Sequence, residues 1–359
     1  MIRRSAFLRT VLVVAVAAVA SITVFATASR AAPMAISPVD QTMPALVYNP
    51  HPEVQAFLLL WVEDRASQRD IYVKRLFGNG LPQGGASLRG WRVIPEQTGL
   101  GSKTPGPRAD PAIVYHPTRE EYLLVYSEVA DEKNGWDVFS VRISTAGYAR
   151  GYPRRLVTGP GDQRRPDVAL LGDDRTASDD YLVVWEDNTR DIDEVWALRV
   201  QANGIPRASP YPLVQAATNA RDPTTNGTAV AWVDDRRGQS DLFQMTLRNG
   251  LPSGVERAIT GDVLEEFNPR YGSGGLVWNV YHPLTGIDVM GVEIIENSTA
   301  RGTGAILVPA ADQVAPDMAN GVVVFADNRT GDFDLYAVRA VVRGRARALG
   351  HDYLVMTDR

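Results

Sequence analysis

The fold is decided by a stretch near the C-terminus, Pro316-Asp-Met-Ala-Asn-Gly-Val-Val-Val-Phe325-Ala-Asp-Asn-Arg-Thr-Gly-Asp-Phe-Asp-Leu-Tyr336. It holds a short run that opens with Pro, a β-branched run that ends in an aromatic residue and an acid, and a polar turn before Asp-Leu-Tyr. Short β-branched or aromatic runs bounded by turn residues are typical of strands. Asn320-Gly321 is the preferred two-residue type I′ hairpin turn, in which both residues have positive φ. The stretch therefore predicts consecutive antiparallel strands.

The same pattern can be laid out six times along the chain. Asn226-Gly227 gives the equivalent turn signal in the fourth unit. The last three aromatic residues that end a second run are 46 and 47 residues apart, close to the length of a four-stranded propeller blade. The prolines that open the units are Pro44, Pro111, Pro166, Pro223, Pro269 and Pro316. The aromatic residues that end the second runs are Trp61, Tyr126, Trp185, Trp232, Trp278 and Phe325.

Six such units predict an all-β fold, a six-bladed β-propeller of four-stranded antiparallel blades. A single four-stranded unit cannot bury both of its faces, whereas radial stacking of blades does so. We expect one domain over residues 35–359, with the prolines opening the innermost strands and the repeated aromatic residues wedged between blades. Either residues 35–40 or residues 353–357 could supply the strand that completes the ring. An open sandwich or two smaller β domains is the alternative.

Residues 1–28 are typical of an export signal. Arg3, Arg4 and Arg9 precede a run of sixteen almost wholly apolar positions, and Ala26-Thr27-Ala28 offers a cleavage site. Cleavage there would leave Ser29 as the first residue of a secreted or periplasmic protein. An uncleaved N-terminal membrane anchor is the alternative, although the run is short for a membrane span.

The composition limits the partners that this chain could take. The formal net charge of −5 falls to −8 once the leader is removed, which argues against nucleic acid or an anionic membrane surface as the main partner. Cysteine is absent, so the core must stabilise an exported fold without disulfides. Nothing in the sequence specifies an oligomeric state.

The repeats resemble those of the TolB-type, WD40-like propellers of exported bacterial proteins. The residues that carry the resemblance are the Trp-Glu-Asp-Asn run that begins at Trp185, the Asp-Ile-Asp-Glu-Val-Trp run that ends at Trp196, and above all residues 327–336. The resemblance implies a propeller and, commonly, a binding role. Unit five departs from the pattern, because it has Asn279-Val-Tyr-His-Pro283 where the other units have an acid and Arg in the turn.

Propeller topology predicts where the charged turns gather. Turns between the second and third strands lie on the same face as the connections between blades; we call this the binding face. The long Gly/Pro-containing loop at residues 97–110 belongs to it. The residues proposed to bind a partner there are Asp64, Arg65, Asp187, Arg190, Asp235, Arg236, Asp327 and Arg329. The alternative is that each Asp caps its own turn or pairs with a neighbouring Arg.

No catalytic motif is found, so we predict a non-catalytic binding or scaffolding module for a protein or an envelope glycan. The chain has no Gly-x-Ser-x-Gly elbow, no Cys and no His pair suited to a metal. No cofactor is predicted, although the Asp-rich turns at residues 187–193 and 327–334 could offer oxygens to calcium. The alternative is a hydrolase or lyase at the channel mouth, which would need a unique cluster of acids and bases there.

Overall fold

Each repeat unit folds into one antiparallel sheet, in which the strands follow one another in chain order. The computed structural model describes residues 39–65, 68–84, 90–94, 106–131, 135–171, 179–214, 219–272, 274–295, 299–307, 311–341, 347–348 and 353–356. The predicted leader at residues 1–28 and most of the 97–110 loop lie outside these residues.

Short strands account for all of the regular structure described. In chain order they are β1 Gln41–Asn49, β2 Ala56–Arg65, β3 Gln68–Phe77, β4 Trp91–Arg92, β5 Arg108–His116, β6 Glu121–Asp131, β7 Gly135–Ser144, β8 Ala149–Val157, β9 Gln163–Leu170, β10 Tyr181–Asp187, β11 Glu194–Val200, β12 Tyr211–Val214, β13 Ala220–Thr225, β14 Ala229–Asp234, β15 Asp241–Arg248, β16 Leu251–Pro252, β17 Arg257–Ala258, β18 Glu265–Gly272, β19 Gly275–His282, β20 Gly286–Ile295, β21 Thr299–Leu307, β22 Gln313–Ala319, β23 Val322–Asp327, β24 Asp334–Val341, β25 Arg347–Ala348 and β26 Tyr353–Met356. The described residues contain no helix that could cross a membrane.

The six sheets form a closed ring, which confirms the predicted six-bladed propeller. Blades one, two, three and five are β1–β4, β5–β8, β9–β12 and β18–β21, while in blades four and six the outermost strand is split in two. The first strand of each blade contacts the first strand of the next, and β22 contacts β1. The outer edge of blade six is completed by β26, which pairs with β24. The C-terminal segment thus takes the fourth-strand position that the sequence left open.

The repeated aromatic residues form the core between blades, as predicted. All six are at most 1% exposed, so the interior of every blade is anchored by a large ring at the same place. In four blades this ring also stacks on the aromatic residue that pairs with it on the third strand, for example Trp232 on Phe243 with centroids 6.2 Å apart. Such pairs add to the stabilisation that burial of the rings already gives.

The prolines lie in the innermost strands as predicted, but they do not open them. Each strand begins three or four residues earlier, and the residue before each proline has a φ of 50° or 51°, in the left-handed region. The register to the second strand shifts at this point in all six blades. A β-bulge interrupts the ladder there, so a residue without an N–H costs no hydrogen bond.

The two Asn-Gly turns differ from each other. Asn320 and Gly321 both have positive φ and form a two-residue hairpin, as predicted. In blade four the prediction is wrong: Asn226 does not have positive φ, and four residues separate the paired Thr225 and Val230. The Asn226 side chain accepts a hydrogen bond from the N–H of Ala229 at 2.8 Å, which closes the wider loop.

Polar side chains of the innermost strands hold adjacent blades together. Asp167 of blade three accepts the N–H of Thr225 in blade four at 2.8 Å. Asp317 of blade six accepts the N–H of Leu46 in blade one at 2.6 Å, which joins the last blade to the first. Burial raises the pKa of Asp317 to about 6. These bonds satisfy backbone N–H groups of the innermost strands with acceptors from the neighbouring blade.

Candidate functional site

An acid two residues after the core tryptophan closes the turn between the second and third strands. The indole Nε1 donates to this acid in three blades, from Trp61 to Glu63 at 2.8 Å, from Trp185 to Asp187 at 3.4 Å and from Trp232 to Asp234 at 3.1 Å. Side chains two positions apart on a strand share one face, which makes this contact possible. The repeated acid therefore supplies the acceptor that a buried indole requires.

A second acid lies directly opposite the first on the third strand. Five blades contain such a cross-strand pair: Glu63 with Asp70, Glu128 with Asp137, Asp187 with Glu194, Asp234 with Asp241 and Asp327 with Asp334. Like charges directly opposite each other are unfavourable. Each pair has at least one Arg beside it, such as Arg108, which reaches Asp70 at 2.9 Å and Glu128 at 2.8 Å. The acid–Arg pattern is thus a repeated feature of the interior of the blades.

The proposed binding residues divide into buried acids and partly exposed arginines. Asp187 and Asp327 are buried, and their Oδ1 atoms accept the backbone N–H groups of Thr189 at 3.0 Å and Arg329 at 2.8 Å. In blade four the equivalent residue is Asp234. The residue proposed from the sequence was its neighbour, Asp235. These acids cap their own turns and have little surface to offer a partner.

The arginines of the turns pair with acids of their own blade. Arg190 lies 3.0 Å from Glu194. Arg236 bonds to Asp234, lies 2.6 Å from Glu256 and stacks over Phe243. Arg329 donates from Nε and Nη2 to Asp327 and stacks over Tyr336. Of the remaining proposed residues, Asp64 is exposed and lies 3.7 Å from Arg69, Asp235 lies 3.7 Å from Arg221, and the side chain of Arg65 lies outside the described residues.

The Asp-rich turns use their oxygens for these internal contacts. Asp334, for example, accepts the hydroxyl of Thr330 at 2.8 Å. Within the described ranges, no group of three or more acids and histidines is arranged to hold a metal ion.

Replacing Arg329 with Ala should lower the free energy of unfolding by about 1 to 3 kcal/mol, because it removes two hydrogen bonds from the buried carboxylate of Asp327. Urea denaturation of the wild type and of Arg329→Ala would measure the loss. Arg329→Lys keeps the charge without the two-pronged geometry and should recover only part of it. Equal stability of wild type and Arg329→Ala would contradict the structural role.

Blade five lacks this arrangement, and a cavity of about 240 Å³ lies where it is missing. Val280 takes the position of the first acid, opposite Asp288, and His282 takes the place of the Arg. On the third strand, Met290 pairs with Trp278 where blades one, two, four and six have Tyr or Phe. The cavity is lined by Thr260, Asp262, Leu264, Glu266, Trp278, Val280, His282, Thr285, Asp288 and Met290.

Two buried polar atoms at this cavity have no hydrogen-bond partner. They are Nε1 of Trp278, whose side chain is 1% exposed, and Oδ1 of Asp288, which is 4% exposed. The other oxygen of Asp288 accepts the hydroxyl of Thr285 at 2.6 Å. An unpaired buried polar atom costs about 1 to 3 kcal/mol and requires an explanation. The sequence does contain a sign of this site, because residues 279–283 depart from the repeat pattern. The binding residues were instead predicted from the charged turns of the other units.

Acids dominate the electrostatics of this blade-five cavity. Burial, together with the negative charges of Asp262, Asp241 and Glu265, raises the pKa of Glu266 to about 8. Burial also raises the pKa of Asp288. Among the residues that line the cavity there is no Lys or Arg. The cavity lies on the binding face, because its lining comes from the turn between β19 and β20 and from the connection between blades four and five.

Glu186 of blade three and Asp222 of blade four both contact the same arginine, Arg165. Arg165, the bulge residue of β9, bonds to Asp222 of the next blade and lies 3.4 Å from Glu186. Burial raises the pKa of Glu186 to about 7 despite the nearby Arg165. Glu186 also accepts the N–H of Asp222 at 3.2 Å. This cluster is not repeated in every blade, but its groups bond to one another and join blades three and four.

The structural neighbours are propellers of low sequence identity. They include a putative TolB from Agrobacterium tumefaciens (15% identity, TM-score 0.45, covering 69% of this chain and 82% of that chain) and TolB from Acinetobacter baumannii (12%, 0.48, 89% and 66%). A puromycin hydrolase is also similar (17%, 0.50, 86%), and this chain spans 45% of its length. No family model and no curated protein sequence matches the chain. The expected resemblance to TolB propellers is therefore found at the level of the fold.

Proposed function

We propose that this chain is a non-catalytic binding module that recognises a ligand on its binding face, with the blade-five cavity as the recognition site. The observation that carries this proposal is the unpartnered indole N–H of Trp278. In three other blades the same N–H is satisfied within the blade. A ligand atom in the cavity would replace the missing acceptor, as expected of a site that departs from the local rule for the sake of binding.

A catalytic role at the channel mouth is less well supported. A hydrolase or lyase would need an acid or base that is open to substrate. Glu186 and Asp222 instead share Arg165. The neighbouring acids therefore resemble a packed ion-pair network that joins blades.

The leader at residues 1–28 supports a location outside the cytoplasm, so a protein or a glycan of the cell envelope is the proposed class of partner. The acidic net charge of −5 argues against a nucleic acid. Material recovered from the envelope or the medium should begin near Ser29 when its N-terminus is sequenced. Recovery of the intact chain in the cytosol would contradict the proposed location.

The proposal is tested with a substitution by which the protein itself supplies the missing hydrogen-bond acceptor for Trp278. Val280→Asn places an uncharged acceptor two residues after Trp278, as the acids do elsewhere, and should therefore preserve the fold. Wild type and variant would each be immobilised and exposed to the solubilised envelope fraction, and each would be applied in solution to a panel of immobilised envelope glycans. Binding by the wild type should be lost in Val280→Asn.

The matched control makes the same chemical change at an exposed site. Val255 is 69% exposed and lies outside the cavity, so Val255→Asn should bind like the wild type. Circular dichroism and thermal unfolding would show that both variants are folded. If Val280→Asn captures the same ligands as the wild type, the blade-five cavity is not the binding site.

A further inference from the structure

Blade five lacks two chemical groups that blades one, three and four have, and together they define what the cavity requires. The first is an acceptor for the tryptophan N–H, because Val280 replaces the acid that accepts it in blades one, three and four. The second is a cation beside the third-strand acid. Asp70, Asp137, Glu194 and Asp241 each have an Arg within 4 Å, whereas no salt bridge joins Asp288 to a described Arg or Lys.

The acceptor must be uncharged. Asp262, Glu266 and Asp288 all line the cavity, so a ligand carboxylate or phosphate next to Trp278 would face three acids with no Arg or Lys in the lining. A hydroxyl oxygen avoids this repulsion. It can accept from the indole and donate its own proton to a carboxylate, which makes it suited to a site with one unpaired donor and one unpaired acceptor.

The cation must be compact. Leu264, Val280 and Met290 form the apolar part of the lining, and the cavity volume of about 240 Å³ accommodates a six-membered ring. An ammonium group would meet Asp288 where blades one to four have a guanidinium, and Glu266 also lines the cavity. Charged hydrogen bonds of this kind are about twice as strong as neutral ones.

On the basis of the proposed function, we propose that the blade-five cavity binds an amino sugar. Its ammonium group bonds to the carboxylate of Asp288 and to a carboxyl oxygen of Glu266, and a neighbouring ring hydroxyl accepts the hydrogen bond of Trp278. A sugar is favoured over a peptide N-terminus, which also carries an ammonium beside an oxygen, because a sugar ring also packs against the apolar lining of Leu264, Val280 and Met290.

The test is isothermal titration of the full chain at about pH 7 with four small probes and one peptide mimic. The probes are the methyl glycosides of glucosamine, glucose and N-acetylglucosamine, and cyclohexylamine; the mimic is glycinamide. The glucosamine glycoside should bind about tenfold or more tightly than the glucose glycoside, which lacks the cation, and than cyclohexylamine, which lacks the hydroxyl. The N-acetyl derivative should bind as weakly as the glucose glycoside.

Variants locate the site. Asp288→Asn and Trp278→Phe should each weaken binding of the glucosamine glycoside about tenfold or more, and Val280→Asn should abolish it. Val255→Asn should leave binding unchanged. Equal binding of the glucose and glucosamine glycosides, or binding of glycinamide alone, would overturn the assignment of the ligand.

The outcome also separates this inference from the function on which it rests. If no amino-sugar probe binds but an envelope ligand is still captured by the wild type and lost in Val280→Asn, the ligand class is wrong and the binding function stands. If Val280→Asn changes neither the titration nor the capture of envelope ligands, both are wrong.

Discussion

Replacing Asp234 with Ala is expected to lower the free energy of unfolding by about 3 kcal/mol or more. Asp234 is fully buried and accepts hydrogen bonds from Trp232 Nε1, from the backbone N–H of Arg236 and from the Arg236 side chain. Burial alone would raise the pKa of Asp234, but the bonds from Arg236 and Trp232 lower it below its ordinary value. The substitution removes the acceptor of a buried indole and the cap of the turn together.

Urea denaturation followed by tryptophan fluorescence and by circular dichroism would measure the loss. Asp235→Ala changes the next residue, which lies partly exposed in the turn, and should cost less than about 1 kcal/mol. In a Trp232→Phe background the Asp234→Ala change should cost less than in the wild type, because the indole donor is already gone. If Asp234→Ala and Asp235→Ala are equally mild, the repeated acid does not hold the turn.

The architecture could be predicted from the sequence because it depends on features that recur. The six aromatic residues and six prolines mark the same two places in every blade, and the structure has them in the core and in the innermost strands. The sequence pattern did not predict the β-bulge that precedes each proline. The residues with positive φ before the prolines share no common residue type. Asp110, Asp222 and Asn268 belong to types that favour this conformation, but Met43, Arg165 and Ala315 do not.

The charged turns were harder to interpret, since neighbouring acids have different roles. Asp234 and Asp235 look alike in sequence, yet strand alternation turns the first toward Trp232 and leaves the second in the turn. The charge density of these turns therefore predicted an exposed binding surface. In the structure, the acids of these turns are instead used in buried ion pairs.

The blade-five cavity was not predicted because the residues that create it are inconspicuous in the sequence. Val280 and Met290 are ordinary strand residues, and only a comparison of blades shows that an acid, an Arg and an aromatic ring are missing around Trp278.

The substitution Glu266→Gln should stabilise the folded state at alkaline pH. Glu266 is buried, with its Oε2 accepting the hydroxyl of Thr260 at 3.1 Å. Its pKa is raised from 4.5 to about 8, so the folded state keeps a proton that the unfolded state loses between these values. Stability therefore falls as the pH rises through that window, by at most about 5 kcal/mol for this group.

Gln keeps an oxygen for Thr260 and cannot ionise, so the variant should be more stable than the wild type by up to about 4 kcal/mol at pH 8 and should differ little below pH 4.5. Free energies of unfolding from urea titrations at several pH values between these limits would measure the difference. The pH dependence should not vanish, because burial also raises the pKa values of Asp288 and Asp241, and their effects have the same sign. Glu53→Gln, at an exposed glutamate away from the cavity, should follow the wild-type curve. If the curves of wild type and Glu266→Gln run parallel from pH 4.5 to 8, Glu266 ionises in the folded state as freely as in water, and the carboxyl groups of the blade-five cavity are not desolvated.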